Sequence, residues 1–489
     1  MKKIVIDPIT RLEGHGKISI FLNDDVNVAN AYLQIPELRG FEKFSEGHPV
    51  EDMPQITQRI CGVCPEAHHV ASTKALDAMF HTEPTSTARK IRELLYSAFF
   101  ITDHTTHFYI LAGPDFIMGP DAPVPERNIL GVIAKVGLEL GGQVINTRKE
   151  NHWIIQTVGG RQIHPVFGLP GGVSKRISEE ERRQIEEIAR RNVVFARLSL
   201  KVFDDIVLKN KGYVDMITSD AYTHQTYYMG MVDDNNRVNF YDGKVRVVDP
   251  KGREFVRYAA KDYLDNIAEH VEPWSYTKFT FLKKVGWKGF VDGADSGVYR
   301  ATPLSRLNAA DGMATPLAQE EYDKMYATLG GKPVHFTLAT HWARLIEILY
   351  AAERLLELAT DKEITGPNIR NIPVGKPTEG VGIVEAPRGT LTHHYIADEK
   401  GRIRKCNLIV GTTNNQAALL MSVKKAAEAL IKPGKDITEA LPQPDRDGLE
   451  AVRPLHVMFN TYHAGPDAAR GDRLQPGRKP GQEAVALVF

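Results

Sequence analysis

Apolar positions recur at helical spacing in several stretches of the chain. Ile91, Leu94, Leu95, Ala98 and Phe99 do so within 85–113, and Leu345, Ile346, Ile348, Leu349, Leu355 and Leu356 within 341–360. Another long helix is predicted over 124–150. Ser178 with Glu181 reads as a capping box opening a helix to about 208, and Thr412-Thr-Asn-Asn415 starts one to about 431. Elsewhere apolar and polar residues alternate. Stretches 3–7, 16–22 and 30–35 read as strands of a small N-terminal sheet within about 1–40. Between 210 and 335 the pattern becomes that of a β-containing insertion, with a hairpin predicted over 238–248 turning at Asp242-Gly243. Stretch 381–395 precedes a second hairpin that turns at Asp398-Glu-Lys-Gly401 and continues through Cys406, a buried strand position, to Val410. The expectation is an α+β fold, predominantly helical, with a long-helix bundle core and small sheet lobes. It spans 1–440, and an atypical tail follows over 441–489.

Composition narrows this picture. Lys+Arg and Asp+Glu are both 61, so no net charge points to nucleic acid or an acidic membrane. Three cysteines in 489 residues make no disulfide framework and favour a reducing compartment. Met-Lys-Lys-Ile-Val-Ile-Asp is not a signal peptide, and no apolar run is long enough to span a membrane. A cytoplasmic protein is expected.

Two of the cysteines lie in Gln58-Arg-Ile-Cys-Gly-Val-Cys-Pro-Glu-Ala-His-His69. A C-x-x-C loop brings two thiolates onto one soft metal ion. Alone, Cys61 and Cys64 fit equally a redox pair, half a zinc site or two buried thiols. Glu13, in the bend Arg11-Leu-Glu-Gly-His-Gly16, fits a salt-bridged surface residue or a buried proton carrier. His104 and His107 have the spacing of helical metal ligands, but with no third ligand nearby they read as a packed or hydrogen-bonded pair. The glycine-rich stretches at 159–165 and 170–172 lack a phosphate-loop pattern, which excludes nucleotide binding there.

The motifs taken together say more. Arg11-Leu-Glu-Gly-His15, Arg39-Gly-Phe-Glu42, Arg59-Ile-Cys-Gly-Val-Cys64 with His68, Asp103-His104 with His107-Phe-Tyr109, Gly160-Arg161 with His164-Pro165, and Ala386-Pro-Arg-Gly389 occur in this order. The set resembles the large, catalytic subunit of nickel–iron hydrogenases. The opening sequence is most similar to the soluble cytoplasmic class linked to electron-bifurcating or heterodisulfide-reducing partners. The resemblance implies a nickel–iron centre with carbonyl and cyanide on iron, held by four thiolates in two C-x-x-C pairs. Cys61 matches a terminal nickel ligand and Cys64 a thiolate bridging nickel and iron. Glu13 matches the carboxylate that passes protons from the site, and Glu42 a magnesium ligand. Arg388 matches a guanidinium over the open metal position, with Pro387 beside it. Asp103 matches a carboxylate that pairs with that arginine, and His68 a histidine hydrogen-bonded near the bridging sulfur. The implied reaction is reversible heterolytic cleavage of H2. A thiolate or the arginine takes the first proton. Electrons leave through clusters on an iron–sulfur small subunit, with further electron-transfer subunits beyond it, because this chain has too few cysteines for a cluster of its own.

One feature of the family is displaced. Its C-terminal Asp-Pro-Cys-x-x-Cys-x-x-His does not follow Cys406, and the tail reads as coil rich in Pro, Arg, Asp and Gly. Re-reading the codons of residues 453–461 one base later permits Asp-Pro-Cys-Met-Ser-Cys-Ser-Thr-His, with the second cysteine forced by Met458-Phe459. The same frame permits Asn-Arg-Ile-Glu-Met-Ala over 443–448. A single-base shift near Leu441 is the inference. A protein that truly carries the shifted tail has half a metal site and is expected to be inactive. Two other classes remain: a non-catalytic scaffold or quinone-pocket subunit, against which Cys61, Cys64, Arg388 and Glu13 argue, and a zinc-stabilised structural protein, which lacks a fourth ligand.

Overall fold

The computed structural model describes residues 2–432 apart from Pro8, Thr10, Glu13, 36–39, Pro120, Asp121 and Val124. Four long helices form the core: Ser86–Thr106, Leu138–Gly159, Glu179–Phe203 and Thr340–Thr360. Ser86–Thr106 lies between Leu138–Gly159 and Thr340–Thr360, and Glu179–Phe203 closes the ring from the other side. The capping box is present: Ser178 Oγ accepts the Glu181 N–H, and the Glu181 carboxylate accepts the Ser178 N–H at 2.8 Å. Thr340–Thr360 is buried almost all round, and its face includes Arg344 and Glu347 as well as the leucines. Charges so placed must be paired. After Thr106 the helix widens into π turns over His107–Ala112 and Pro114–Met118, an arrangement common near functional sites.

Two three-stranded antiparallel sheets flank the bundle. Lys2–Ile6, Lys17–Leu22 and Val28–Gln34 form the first, covered by the helix Gln416–Leu430. Glu379–Ala386, Gly389–Ala397 and Ile403–Ile409 form the second. Between 227 and 300 lies a four-stranded sheet, in which Tyr299–Arg300 pairs parallel to Tyr227–Val232. The architecture is α+β with helix predominant, as the apolar pattern implied.

Two local expectations are corrected. There is no continuous helix over 124–150: Ile129–Val136 ends at Gly137, whose φ of 90° breaks the helical course, and Leu138–Gly159 begins afresh. Asp242-Gly243 is not a hairpin tip either. Lys244–Val248 pairs with Tyr227–Val232 and with Glu254–Tyr258, and the turn lies at Asp249, whose carboxylate accepts the N–H groups of Lys251 and Arg253. Asp242 instead holds Lys74 at 2.9 Å.

The helix Pro65–Met79 lies directly on the second sheet. Gly380 and Gly382, two apart and so on one face, meet the helix backbone at Ala75–Met79 and Ala71–Ala75. A Cβ on Gly382 would strike the Ala71 carbonyl oxygen and the Ala75 nitrogen, backbone atoms that no rotamer change relieves. Gly382→Ala is therefore expected to destabilise the protein by about 1–3 kcal/mol, read as a lower unfolding midpoint.

Candidate functional site

The short turn Gln58–Ile60 leads into Cys61, which is extended (φ −130°, ψ 130°). Cys64 is the N-cap of Pro65–Met79, with proline in the helix's first turn where its missing N–H costs nothing. The Cα atoms of Cys61 and Cys64 are 5.4 Å apart, and their sulfurs are within bonding distance of each other. The Cys64 N–H donates to Cys61 Sγ at 3.1 Å. Read as thiolates, these sulfurs form a two-membered soft donor set. Among the described residues no group of three or more His, Cys, Asp or Glu converges as a metal site.

The first turn of that helix is buried. Burial pushes the Glu66 carboxyl up to about 8, opposed by its own backbone and reinforced by the Asp103 charge. This coupling places the start of the cysteine helix beside Asp103, on Ser86–Thr106. His69 is structural: its Nε2 accepts the Gly168 N–H at 2.9 Å, its Nδ1 donates to the Pro54 carbonyl at 3.2 Å, and burial lowers its pKa to about 4.

Pro387 and Arg388 form the two-residue tip of a hairpin, because Ala386 pairs with Gly389. Arg388 Nη1 donates to Asp103 Oδ1 at 2.9 Å, and both side chains are almost wholly buried. Asp103 Oδ2 and Gln58 Oε1, both buried, find no partner among the described residues. The tip is held from behind. Asn415 donates to the Arg388 carbonyl at 2.7 Å and accepts the Ala301 N–H at 2.7 Å.

Arg306 is the larger clamp. Its Nε and Nη2 each donate to Glu347 at 2.7 Å, and Nη1 donates to Glu385 at 3.1 Å. Nη1 and Nη2 also reach the carbonyls of Ala386 (2.8 Å) and Pro387 (3.1 Å). His104 Nε2 lies 2.8 Å from Glu347, and burial lowers the histidine's pKa to about 4, so the neutral ring donates. Burial raises Glu347's affinity for a proton, but Arg306 and His104 outweigh it and hold its pKa below the usual value. Arg344 shares this neighbourhood, and burial lowers its pKa to about 9.

The structure thus pairs Asp103 with Arg388 and sets Asp103 near Glu66 in the first turn of the helix that Cys64 opens, but it does not bring in every expected residue. Glu13 and the shifted tail lie outside the described residues. Beside Glu13, Arg11 makes a bidentate pair with Asp115 (2.6 and 3.0 Å) and reaches the Leu111 carbonyl, tying the N-terminal bend to the π turns. Glu42 accepts the Leu408 N–H at 3.0 Å and faces Lys278 Nζ at 3.5 Å. On that strand Cys406 is buried, and burial followed by the Glu42 charge pushes its thiol up to about 12. His104 and His107 do not pair with each other, because the helix Thr340–Thr360 lies against both. His104 binds its Glu347, and His107 packs on its His341. Arg306, Glu347 and Glu66 were not singled out from the sequence. The one signal was Glu347, a charge inside the apolar run Leu345–Tyr350.

A family model described as "Nickel-dependent hydrogenase" matches residues 39–122 and 142–432, and one described as "HoxL-like" matches 3–38. Over 437 residues the chain is 50% identical to an F420-non-reducing hydrogenase iron-sulfur subunit of Archaeoglobus profundus, covering 89% of this chain and 90% of that one. It is 39% identical over 443 residues to the NAD-reducing hydrogenase HoxS subunit beta of Cupriavidus necator, covering 87% and 88% of the two chains. A crystal structure of an NAD+-reducing [NiFe]-hydrogenase in the H2-reduced state superposes with a TM-score of 0.87 at 34% identity, over 96% of this chain and 98% of that one.

Proposed function

We propose that this chain, which belongs to the nickel-dependent hydrogenase family, performs that family's chemistry at a centre gripped on one side by Cys61 and Cys64. Members are oxidoreductases acting on H2, and the chain is of the catalytic large-subunit type. The observation that carries the site assignment is the buried Arg388–Asp103 pair beside the helix that Cys64 opens.

Cys61 and Cys64 would hold the nickel–iron centre, Cys61 through nickel and Cys64 through both metals, with carbonyl and cyanide on the iron. Bound there, the centre supplies the Lewis acidity and the electron-accepting capacity for heterolytic cleavage of H2. The described donors fit half of that ligand set, and a C-terminal pair restored by the one-base shift would supply the rest. Arg388, locked by Asp103 and the hairpin tip, would set a fixed positive charge beside the bound centre, with Pro387 shaping the approach to it. The Cys61 thiolate or Arg388 accepts the first proton, and Glu13 passes it outward. His68 supports the bridging sulfur. Glu42 offers a hard oxygen to magnesium, as suits that cation.

Electrons leave to an iron–sulfur small subunit, then to further electron-transfer subunits. No described helix is long and apolar enough to cross a membrane. A cytoplasmic complex accords with that and with the cysteine usage.

Metal analysis and H2-dependent viologen reduction by the purified complex test this. About one nickel per chain is expected, with iron in excess of nickel because the small subunit's clusters carry iron of their own. Arg388→Lys should lower turnover about 10²-fold with metal content unchanged, because an ammonium cannot reproduce the planar fork. Zinc in place of nickel would overturn the assignment. So would nickel-free protein whose tryptic map contains a peptide ending Pro-Gln-Pro-Asp-Arg446.

A further inference from the structure

Asn415 precedes the helix Gln416–Leu430 but does not cap it. An asparagine there ordinarily spends its side-chain oxygen on the first N–H groups of its own helix. This one is fully buried and spends its amide elsewhere. Its Nδ2 donates to the Arg388 carbonyl and its Oδ1 accepts the Ala301 N–H, both at 2.7 Å. The two partners fix which way the amide faces, since a carbonyl only accepts and an N–H only donates. Asn414 acts alike one residue earlier. It donates to the Thr390 carbonyl at 2.6 Å and accepts the Tyr299 hydroxyl at 2.5 Å. The turn Gly411–Asn415 lies so close to the hairpin that a Cβ on Gly389 would strike the Gly411 carbonyl oxygen.

We propose that Asn415 is a positioning residue that aims the Arg388 guanidinium. Three successive carbonyls at the hairpin tip are all taken. Arg306 holds those of Ala386 and Pro387, and Asn415 holds that of Arg388. The two holders are themselves joined. Asn415 binds Ala301, which lies just before the helix Pro303–Ala309 that carries Arg306. The Arg388 backbone is thereby tied to packed elements at one end, while Asp103 takes its Nη1 at 2.9 Å at the other. Several rotatable bonds separate those ends, so one anchor alone leaves the planar fork free to swing, and two hold it in one direction. Only an amide serves both partners at this position, because it donates from one atom and accepts at the other. A side chain that merely satisfied two buried backbone groups would support the fold equally whatever residue stood at 388. The catalytic consequence rests on the site proposed above; the anchoring of Arg388 does not.

Crystal structures of the full-length chain in its complex test this, wild type beside Asn415→Ala and Asn415→Asp. The aspartate variant keeps the shape and the bond from Ala301 but, ionised at neutral pH, has no donor for the Arg388 carbonyl, so it serves even where the alanine variant fails to fold. Wild type should show Arg388 Nη1 on Asp103. The variants should show the guanidinium displaced or in more than one conformer, with metal content unchanged. Turnover should fall about tenfold, less than the roughly 10²-fold that a misplacement of about 1 Å can cost. In an Arg388→Lys background the same substitutions should lower turnover by less than about twofold, since residues that act through one another are not additive. An Arg388 that keeps its place in the variants, unchanged turnover, or equal fold losses with arginine and lysine at 388 would overturn the proposal. A displaced Arg388 in variants of a complex whose wild type has no turnover would instead count against the metal-site assignment alone.

Discussion

Cys61→Ser should yield a folded protein almost free of nickel and without H2-dependent dye reduction. Serine can still accept the Cys64 N–H that now reaches Cys61 Sγ at 3.1 Å, so the loop keeps its local hydrogen bond. What it cannot supply is a soft anionic donor: its hydroxyl stays protonated near neutral pH and matches nickel poorly. Loss of a supporting partner alone weakens metal binding about 10–100-fold, and loss of a ligand should exceed that. Nickel per chain after desalting is the measurement, with far-ultraviolet circular dichroism to show that the fold persists. Unchanged nickel in Cys61→Ser would remove this residue from the centre.

Arg306→Ala should cost about 3–5 kcal/mol of stability, the usual cost of leaving a buried charge without its partner. All five guanidinium N–H groups are used, on Glu347, Glu385 and the carbonyls of Ala386 and Pro387, and the side chain is wholly buried. Phe100 and Phe240, stacked on each other with centroids 3.9 Å apart, pack beside it. Without Arg306, Glu347 keeps the hydrogen bond from His104 and the nearby charge of Arg344, and burial, no longer offset by Arg306, then raises its folded pKa above the unfolded one. Such a group supports folding at low pH and ceases to do so as pH rises through its folded pKa. The deficit of Arg306→Ala should therefore widen as pH rises from the acid range, when unfolding midpoints are compared at several pH values. A deficit independent of pH would mean that Glu347 finds another cation.

How much of this was legible beforehand depended on distance along the chain. The capping box at Ser178 and the helix Thr340–Thr360 were read from neighbouring residues, because their signals repeat within one or two turns. The Arg388–Asp103 contact came only through resemblance, since nothing local to either residue names the other. Arg306 gave no signal at all: it sits in an ordinary stretch, and its partners are brought to it by tertiary packing. Asp242-Gly243 misleads because a turn-forming dipeptide need not sit at a hairpin tip, whereas Asp249 has the side-chain bonds that make one. The break at Gly137 was missed because apolar residues continue across it.

The seating of Pro65–Met79 on Gly380 and Gly382 also has a meaning in time. The cysteine loop is made early, and the strand that covers its helix is made more than three hundred residues later. At roughly 5–20 residues per second of synthesis, Cys61 and Cys64 wait on the order of tens of seconds before the floor of their own site exists. Through that interval the thiols stand open to oxidants and to any soft metal ion in the cell. A chain of this design must be guarded while it is being made, or loaded only after it is finished.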